Sequence, residues 1–518
     1  MIPITDTPAW KALEAHRREI DGLGLKDLFA ADPDRFQSLS FDLPGLVLDV
    51  SKNRLTAETL ALLMNLADAA GVESWRERLF SGETVNATEG RAVLHPALRD
   101  TSGLVAADVA DDVAAVDARL EAFVGEVRAG PVTDVINIGI GGSHLGPQLA
   151  TRALAGGIDG PHVHYVANID GCDLEPLLHR LDPATTLVLV ASKTFTTAET
   201  MANAATARDW IAARLGEDAV ADHFATLSTN TDAVTDFGIS ESSMFPFWDW
   251  VGGRFSLWSA IGLSTALAIG WEGFTEMRAG AHDMDRHFIE APLARNLPVV
   301  LALVGVWNVN FQGHGARAVV PYDERLADLP AFLQQLEMES NGKAVTRDGA
   351  PVSTATAPVV FGLTGTGAQH AFHQLLHQGP NPIPVDFIAA ARPGHGIAGR
   401  HDALIANMLA QAEALAFGTD GEADSHRVCP GDRPSTTILM DALGPHRLGL
   451  LLALFEHKVF VEGVIWGINS FDQFGVELGK KLAGPLSRDT AGGAVAGDYD
   501  SSTAGLLSRY RTWRDEAP

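Results

Sequence analysis

The sequence predicts an α/β chain of two tandem units with parallel sheets, preceded by N-terminal helices and followed by a C-terminal helical tail. Three observations predict it. A chain of 518 residues exceeds one ordinary core. From Asp134 onward, short β-branched runs alternate with helical stretches, the pattern of βαβ units. The alternation then recurs in the second half of the chain.

The elements follow in order. Residues 8–100 read as helices with loops, because Trp10 to Ile20 and Thr56 to Ala70 are charged and periodic. Strands are expected at Val135-Ile-Asn-Ile-Gly, Val163 to Asn168, Thr186 to Ser192 and Phe224 to Thr229, with helices between them. Gly270, Gly273 and Gly280 weaken helix continuity, so the two units divide near 270–290. Val299 to Val306 fits a strand or a buried helix equally. Ala318 to Tyr322 and Ile383 to Ala389 read as strands, and residues 419–437, rich in Asp, Gly, Pro and Ser, as an exposed loop. The apolar run Leu448 to Ile468 carries Glu456, His457, Lys458 and Glu462, so it reads as a buried soluble helix. Ser501-Ser-Thr is expected to cap a last helix ending near Arg514. The expected division is 1–104, 105–275, 276–500 and 501–518, the first part packing on the third.

Composition narrows the function. The net charge is −27, which argues against nucleic acid, whose binders displace counterions with a basic surface. It argues against an anionic membrane surface too, and the most apolar run, Leu297 to Trp307, is too short to span a bilayer. Cys172 and Cys429 form no CxxC pattern, and the first residues lack the features of a signal peptide, so a reducing cytoplasm is expected. An anionic substrate would need local cations to reverse the field.

Two stretches suit phosphate. Gly139-Ile-Gly-Gly142-Ser143 follows a strand and precedes a helix, so backbone amides can approach an anion. The bland alternative is a tight turn. Ser192-Lys193-Thr194-Phe195-Thr196-Thr197 offers hydroxyls and one lysine directly after an apolar strand, more than an N-cap needs. With no GxxxxGK[ST], it is not a nucleotide P-loop.

Other residues suit proton transfer. Glu339 lies beside the turn-capable Ser340-Asn341-Gly342, with Gln335 one helical turn behind, as a positioned base would. Arg254 follows two glycines among aromatics; it either stabilises an oxyanion or stacks structurally on tryptophan. His370 stands at a loop-to-helix boundary. His370, His373 and His377 have the spacing of one helix face, which would also suit a metal, but no acidic ligand is interleaved and no HExxH is present; no metal is expected. Asp472-Gln473 is expected to start a helix with Lys480 two turns on.

Taken in order, Ile138 to Ser143, Ser192 to Thr197, Gln335 to Lys343 and Phe471 to Lys480 resemble the phosphoglucose isomerase family, as do the stretches Asp249 to Gly262 and Gly463 to Lys480. The resemblance runs over nearly the whole chain. It implies αβα sandwich domains of the sugar-isomerase (SIS) type. It implies interconversion of glucose 6-phosphate and fructose 6-phosphate in glycolysis and gluconeogenesis, without cofactor, in a homodimer. Carried over, Gly142, Ser143 and Ser192, Lys193, Thr194, Phe195, Thr196 and Thr197 bind the phosphorylated hexose, and Gln335 and Gln473 position it. His370, supplied across the dimer interface, and Lys480 open the ring. Glu339 moves the proton and Arg254 stabilises the cis-enediolate. The chain departs from the family at His144, where aspartate is common, and at Gly365-Thr-Gly-Ala-Gln and Gln378-Gly-Pro-Asn-Pro. A phosphosugar sensor would need the phosphate loops but not Glu339, His370 or Lys480. An isomerase that also accepts mannose 6-phosphate is a third reading.

Overall fold

The computed structural model describes residues 2–106, 108–422, 424–492 and 497–516. They fall into two units, Met1–Ser470 and Phe471–Pro518.

The first unit holds two sheets. Their strands, in chain order, are β1 Ser40–Leu43, β2 Leu46–Asp49, β3 Asp134–Gly139, β4 His162–Val166, β5 Thr186–Ala191, β6 Phe224–Leu227, β7 Met244–Phe245, β8 Ala316–Pro321, β9 Val359–Gly362, β10 Val385–Ala390 and β11 Ser435–Met440. One sheet has the order β4-β3-β5-β6-β7 and is parallel throughout. Every residue of β5 is buried, as a strand covered on both faces should be. Val188 and Val190 share a core cluster with Ala204, Ala207 and Ile211 of the helix Ala198–Leu215. The chain leaves β3 for β4 on one side and returns to β5 on the other. The crevice between the ends of β3 and β5 is therefore the switch point where open α/β sheets take ligands.

The second sheet has the order β1-β2-β11-β10-β8-β9. Its inner strands are parallel, but β2 runs antiparallel to β11 and to β1. The β1–β2 hairpin lies in a region that the sequence assigns to helices and loops. Two four-residue strands carry too little alternation to declare themselves, and their support comes from β11, far along the chain. The expected helices on either side are present at Pro8–Glu19 and Ala57–Ala70, capped by the Thr7 and Thr56 hydroxyls.

Leu297–Val306, ambiguous by periodicity, is a helix, started by an Asn296 cap and Pro298 in its first turn. Of the three glycines expected to weaken helix continuity, Gly270, at φ 81, separates the helices Leu263–Ile269 and Trp271–Glu290, whereas Gly273 and Gly280 do not interrupt theirs. Trp271–Glu290 is one continuous helix containing Gly273 and Gly280. A Cβ on Gly280 would overlap the His446 carbonyl, and one on Gly449 would overlap the Met277 carbonyl. These glycines let Trp271–Glu290 and Pro445–Trp466 touch backbone to backbone. Leu448 to Trp466 is buried throughout, its four charged or titratable residues included. Among the described residues, no helix is long and apolar enough to cross a membrane.

The second unit contains the helices Glu477–Ala491 and Ser501–Asp515. The last helix is capped by Asp500, which accepts from the Ser502 and Thr503 amides at 2.9 and 3.1 Å; Ser501 is its first residue rather than its cap.

Candidate active site

At the switch point, β3 ends in Gly139 and the chain turns through Gly141–Ser143 into the helix Leu145–Leu154. Gly141 has φ 60, which favours glycine. A Cβ on Gly142 would overlap the Gly253 carbonyl, so glycine alone lets this turn rest on the segment carrying Arg254. A Cβ on Gly141 would stand 3.0 Å from Gln335 Nε2. The glycine turn thus gathers the Arg254 segment and Gln335 beside the end of β3.

The hydroxyl-rich loop leaves β5 next door and ends at Thr197, which precedes the helix Ala198–Leu215. Its hydroxyls pair internally, Ser192 Oγ donating to Thr197 Oγ1 at 3.2 Å and Thr194 Oγ1 meeting Thr196 Oγ1 at 2.6 Å. Phe195, at φ 56, buries its ring edge-on to Phe237, so its side chain pins the loop to the core. Lys193 Nζ donates to the Trp248 carbonyl at 2.9 Å and pairs with Asp249 Oδ1 at 2.7 Å.

Arg254 is buried in the 3-10 run Gly253–Trp258. Its Nε donates to Ser340 Oγ at 2.6 Å and its NH2 to the Ser470 carbonyl at 2.5 Å. NH1 lies 3.5 Å from Glu339 Oε2. The guanidinium also lies 5.5 Å from the centre of the Phe255 ring, which stacks on His95. Glu339 ends a π-helical turn, Gln334–Glu339, and its carboxylate keeps 22% of its surface exposed while Arg254 keeps 2%. A π-turn inside a helical segment often marks a functional position. The turn-capable residues that follow are fully used. Asn341 Nδ2 donates to the Val459 carbonyl at 2.9 Å, Asn341 Oδ1 accepts from Ser470 Oγ at 2.6 Å, and Lys343 Nζ donates to the carbonyls of Ser340 and Asn469 at 3.0 Å each. Ser340, Asn341, Lys343 and Ser470 escaped the sequence reading as site residues. Ser340 and Asn341, read only as turn-capable, are buried, and Ser470, from far along the chain, completes their cradle.

Beneath the same turn, Glu337 is buried in a charge cluster. Arg317 pairs with Glu337 and Asp386, and Lys458 Nζ reaches Glu337 Oε2 at 3.0 Å and Glu462 Oε1 at 2.7 Å. Burial pushes the Glu462 carboxyl up to about 7, against the pull of Lys458 and with the repulsion of Glu337. A carboxyl raised by folding stabilises the native state below its unfolded value, and that contribution is lost as pH rises towards about 7. Glu462→Gln has no such proton. Between pH 5 and 8 its unfolding free energy should therefore fall less steeply than that of the unsubstituted chain, the difference being at most about 1.4 kcal/mol per pH unit. Urea unfolding at several pH values measures it, and parallel curves would remove Glu462 from the titration.

The remaining candidates lie elsewhere. His370 closes the 3-10 turn Gly367–His370, a few residues after β9, and β9 packs on the π-turn of Glu339. The expected common helix face is not formed, because the helix starts only at His373. His373 Nδ1 and His377 Nε2 both donate to Gln411 Oε1, at 3.0 and 2.8 Å. Gln473 and Lys480 belong to the second unit. The expected helix start at Asp472-Gln473 is a 3-10 turn, Phe474–Val476, and the α-helix begins at Glu477, with Lys480 exposed in its first turns.

Against known proteins, the profile of the phosphoglucose isomerase family matches residues 49–507. The chain belongs to the phosphoglucose isomerase family. Among family members, the glucose-6-phosphate isomerase of Dechloromonas aromatica (strain RCB) is 51% identical, over 99% of this chain and 100% of that protein. That of Chelativorans sp. (strain BNC1) is 53% identical, over 98% and 99%. The crystal structure of a glucose-6-phosphate isomerase from Chlamydia trachomatis superposes with TM-score 0.89 at 32% identity, over 99% of this chain and 100% of that one. The α/β fold with parallel sheets expected of a phosphoglucose isomerase is thus the fold of this chain.

Proposed function

We propose that the chain interconverts D-glucose 6-phosphate and D-fructose 6-phosphate through a cis-enediolate, serving glycolysis and gluconeogenesis in the cytoplasm. The observation that carries this reading is the Glu339–Arg254 pair at 3.5 Å, with the cation locked by Ser340 and Ser470 and the carboxylate partly open. An aldose–ketose exchange needs one base that takes and returns a proton, and a fixed cation facing the transient oxyanion. Glu339 takes the proton from C2 of the aldose and returns it to C1, and the reverse for the ketose. Arg254 holds the enediolate oxygens between the two transfers. The reaction is redox-neutral overall, since hydrogen moves within one molecule.

Substrate binding is assigned to Gly142, Ser143 and the loop Ser192 to Thr197 at the phosphate end, with Gln335 and Gln473 positioning the sugar. Lys193, and the amides at the start of the helix Ala198–Leu215, suit an anion in an otherwise acidic chain. Phe195 contributes through its backbone. Lys480 and His370, the latter from the second copy in a homodimer, open the ring. The test is deuterium incorporation at C2 of glucose 6-phosphate when fructose 6-phosphate turns over in heavy water. Incorporation at C2 is expected; turnover with unlabelled C2 at every time point would exclude exchange at a solvent-accessible base, and binding without turnover would favour a sensor.

A further inference from the structure

The phosphate loop contains one cation, Lys193, and it is already engaged. Its ammonium has three N–H donors. One meets the Trp248 carbonyl at 2.9 Å and another Asp249 Oδ1 at 2.7 Å, while the ammonium lies 5.4 Å from the centre of the Phe247 ring. Nothing requires the carboxylate for packing, because 74% of the Asp249 side chain is exposed, against 25% for Lys193. The hydrogen bond from Lys193, and then its charge, hold the Asp249 carboxyl below its usual value, so Asp249 carries its charge at neutral pH. Asp249 also lies on the strip that runs through Gly252 and Gly253 to Arg254, so the pair joins the phosphate loop to the segment bearing the oxyanion-facing cation.

A chain of net charge −27 places this additional carboxylate beside the cation its substrate would use. Such a carboxylate opposes anion binding in two ways. It repels the incoming charge, and it occupies a donor. A singly charged or weakly basic anion gains little by displacing it. A phosphate dianion, with two charges and three acceptor oxygens, can share the ammonium or displace the exposed carboxylate.

We propose that Asp249 is an affinity- and selectivity-setting residue for the phosphate end of the site, holding Lys193 in an internal ion pair that a bound phosphate dianion must share or displace. The inference rests on the assignment of Lys193 to phosphate binding. It makes Asp249 a brake on affinity rather than a support for the lysine.

The test is a double-substitution cycle. Inhibition constants for inorganic phosphate and for 6-phosphogluconate, which carries the phosphate but does not isomerise, are measured at fixed ionic strength. The proteins are the full chain, Asp249→Asn, Lys193→Met and the double variant. Asp249→Asn should bind both probes about two- to fivefold more tightly, the range of an exposed ion pair. Lys193→Met should bind both more weakly, and Asp249→Asn should change nothing further in that background. Weaker binding by Asp249→Asn would make the carboxylate a strut that presents Lys193, and would overturn the proposal. An equal gain in both backgrounds would also overturn it, since the effect would then bypass the lysine. Unchanged constants in Lys193→Met would instead overturn the phosphate assignment itself, with or without an effect of Asp249.

Discussion

Glu339→Gln lowers kcat by about 10²- to 10⁴-fold, the span that a positioned general base contributes, while 6-phosphogluconate binds as before. The expectation follows from placement. Glu339 ends its π-turn with a partly exposed carboxylate, 3.5 Å from an arginine that is held by two other acceptors. An amide of the same shape keeps the position but cannot take a proton. Arg254 keeps Ser340 and Ser470 as partners, so the cradle survives. Steady-state kinetics and the inhibition constant are read from one preparation. A parallel loss of binding and rate would show that Glu339 shapes the site and does not serve as its base.

Lys458→Met lowers the unfolding free energy by roughly 3–5 kcal/mol, the cost of breaking a buried ion pair from one side. Lys458 is 1% exposed and bridges Glu337 to Glu462. Without it Glu337 keeps Arg317, but Glu462 loses its cation inside the protein. Burial already raises the Glu462 carboxyl to about 7, and removing Lys458 raises it further. The loss should therefore be smaller at pH 6, where Glu462 can be protonated, than at pH 8. Adding Glu462→Gln should restore part of it. Urea unfolding of the three variants at the two pH values is the measurement. A loss independent of pH, unrelieved by the second substitution, would indicate that packing rather than charge dominates.

Much of this architecture could be read from local pattern. β5 is a continuous apolar run after Thr186, and β3 and β10 are apolar but for Asp134 and Asn137 in one and Asp386 in the other; such runs mean strands covered on both faces. The glycine turn and the hydroxyl loop were legible because each follows a strand and leads to a helix. What stayed hidden depends on distant partners. The β1–β2 hairpin needs β11. Gly280 looks like a helix breaker until Pro445–Trp466 is laid against it. Within the candidate site, Glu339 and Arg254 stood out as charged residues beside glycines and turns. Ser340, Asn341 and Ser470 did not, because the Ser340 hydroxyl and the Ser470 carbonyl accept from a guanidinium 86 and 216 residues away in sequence, and Asn341 accepts from the Ser470 hydroxyl 129 residues away. The pairing of Lys193 with Asp249 was invisible for the same reason, since each belongs to a different motif.

The contact between Gly142 and Gly253 makes the site a ruler. Two peptide backbones set the gap between the glycine turn and the segment of Arg254, and no residue smaller than glycine exists to shorten it. Any larger residue at Gly142 would force the two apart. On the proposed roles, main chain thus sets the approach of the glycine turn, at the phosphate end, to the segment of Arg254, at the oxyanion end. A sugar phosphate one carbon longer or shorter would meet a gauge that single substitutions at this contact can only break, so a change of chain length would have to be accommodated at Gln335 or in the surrounding loops.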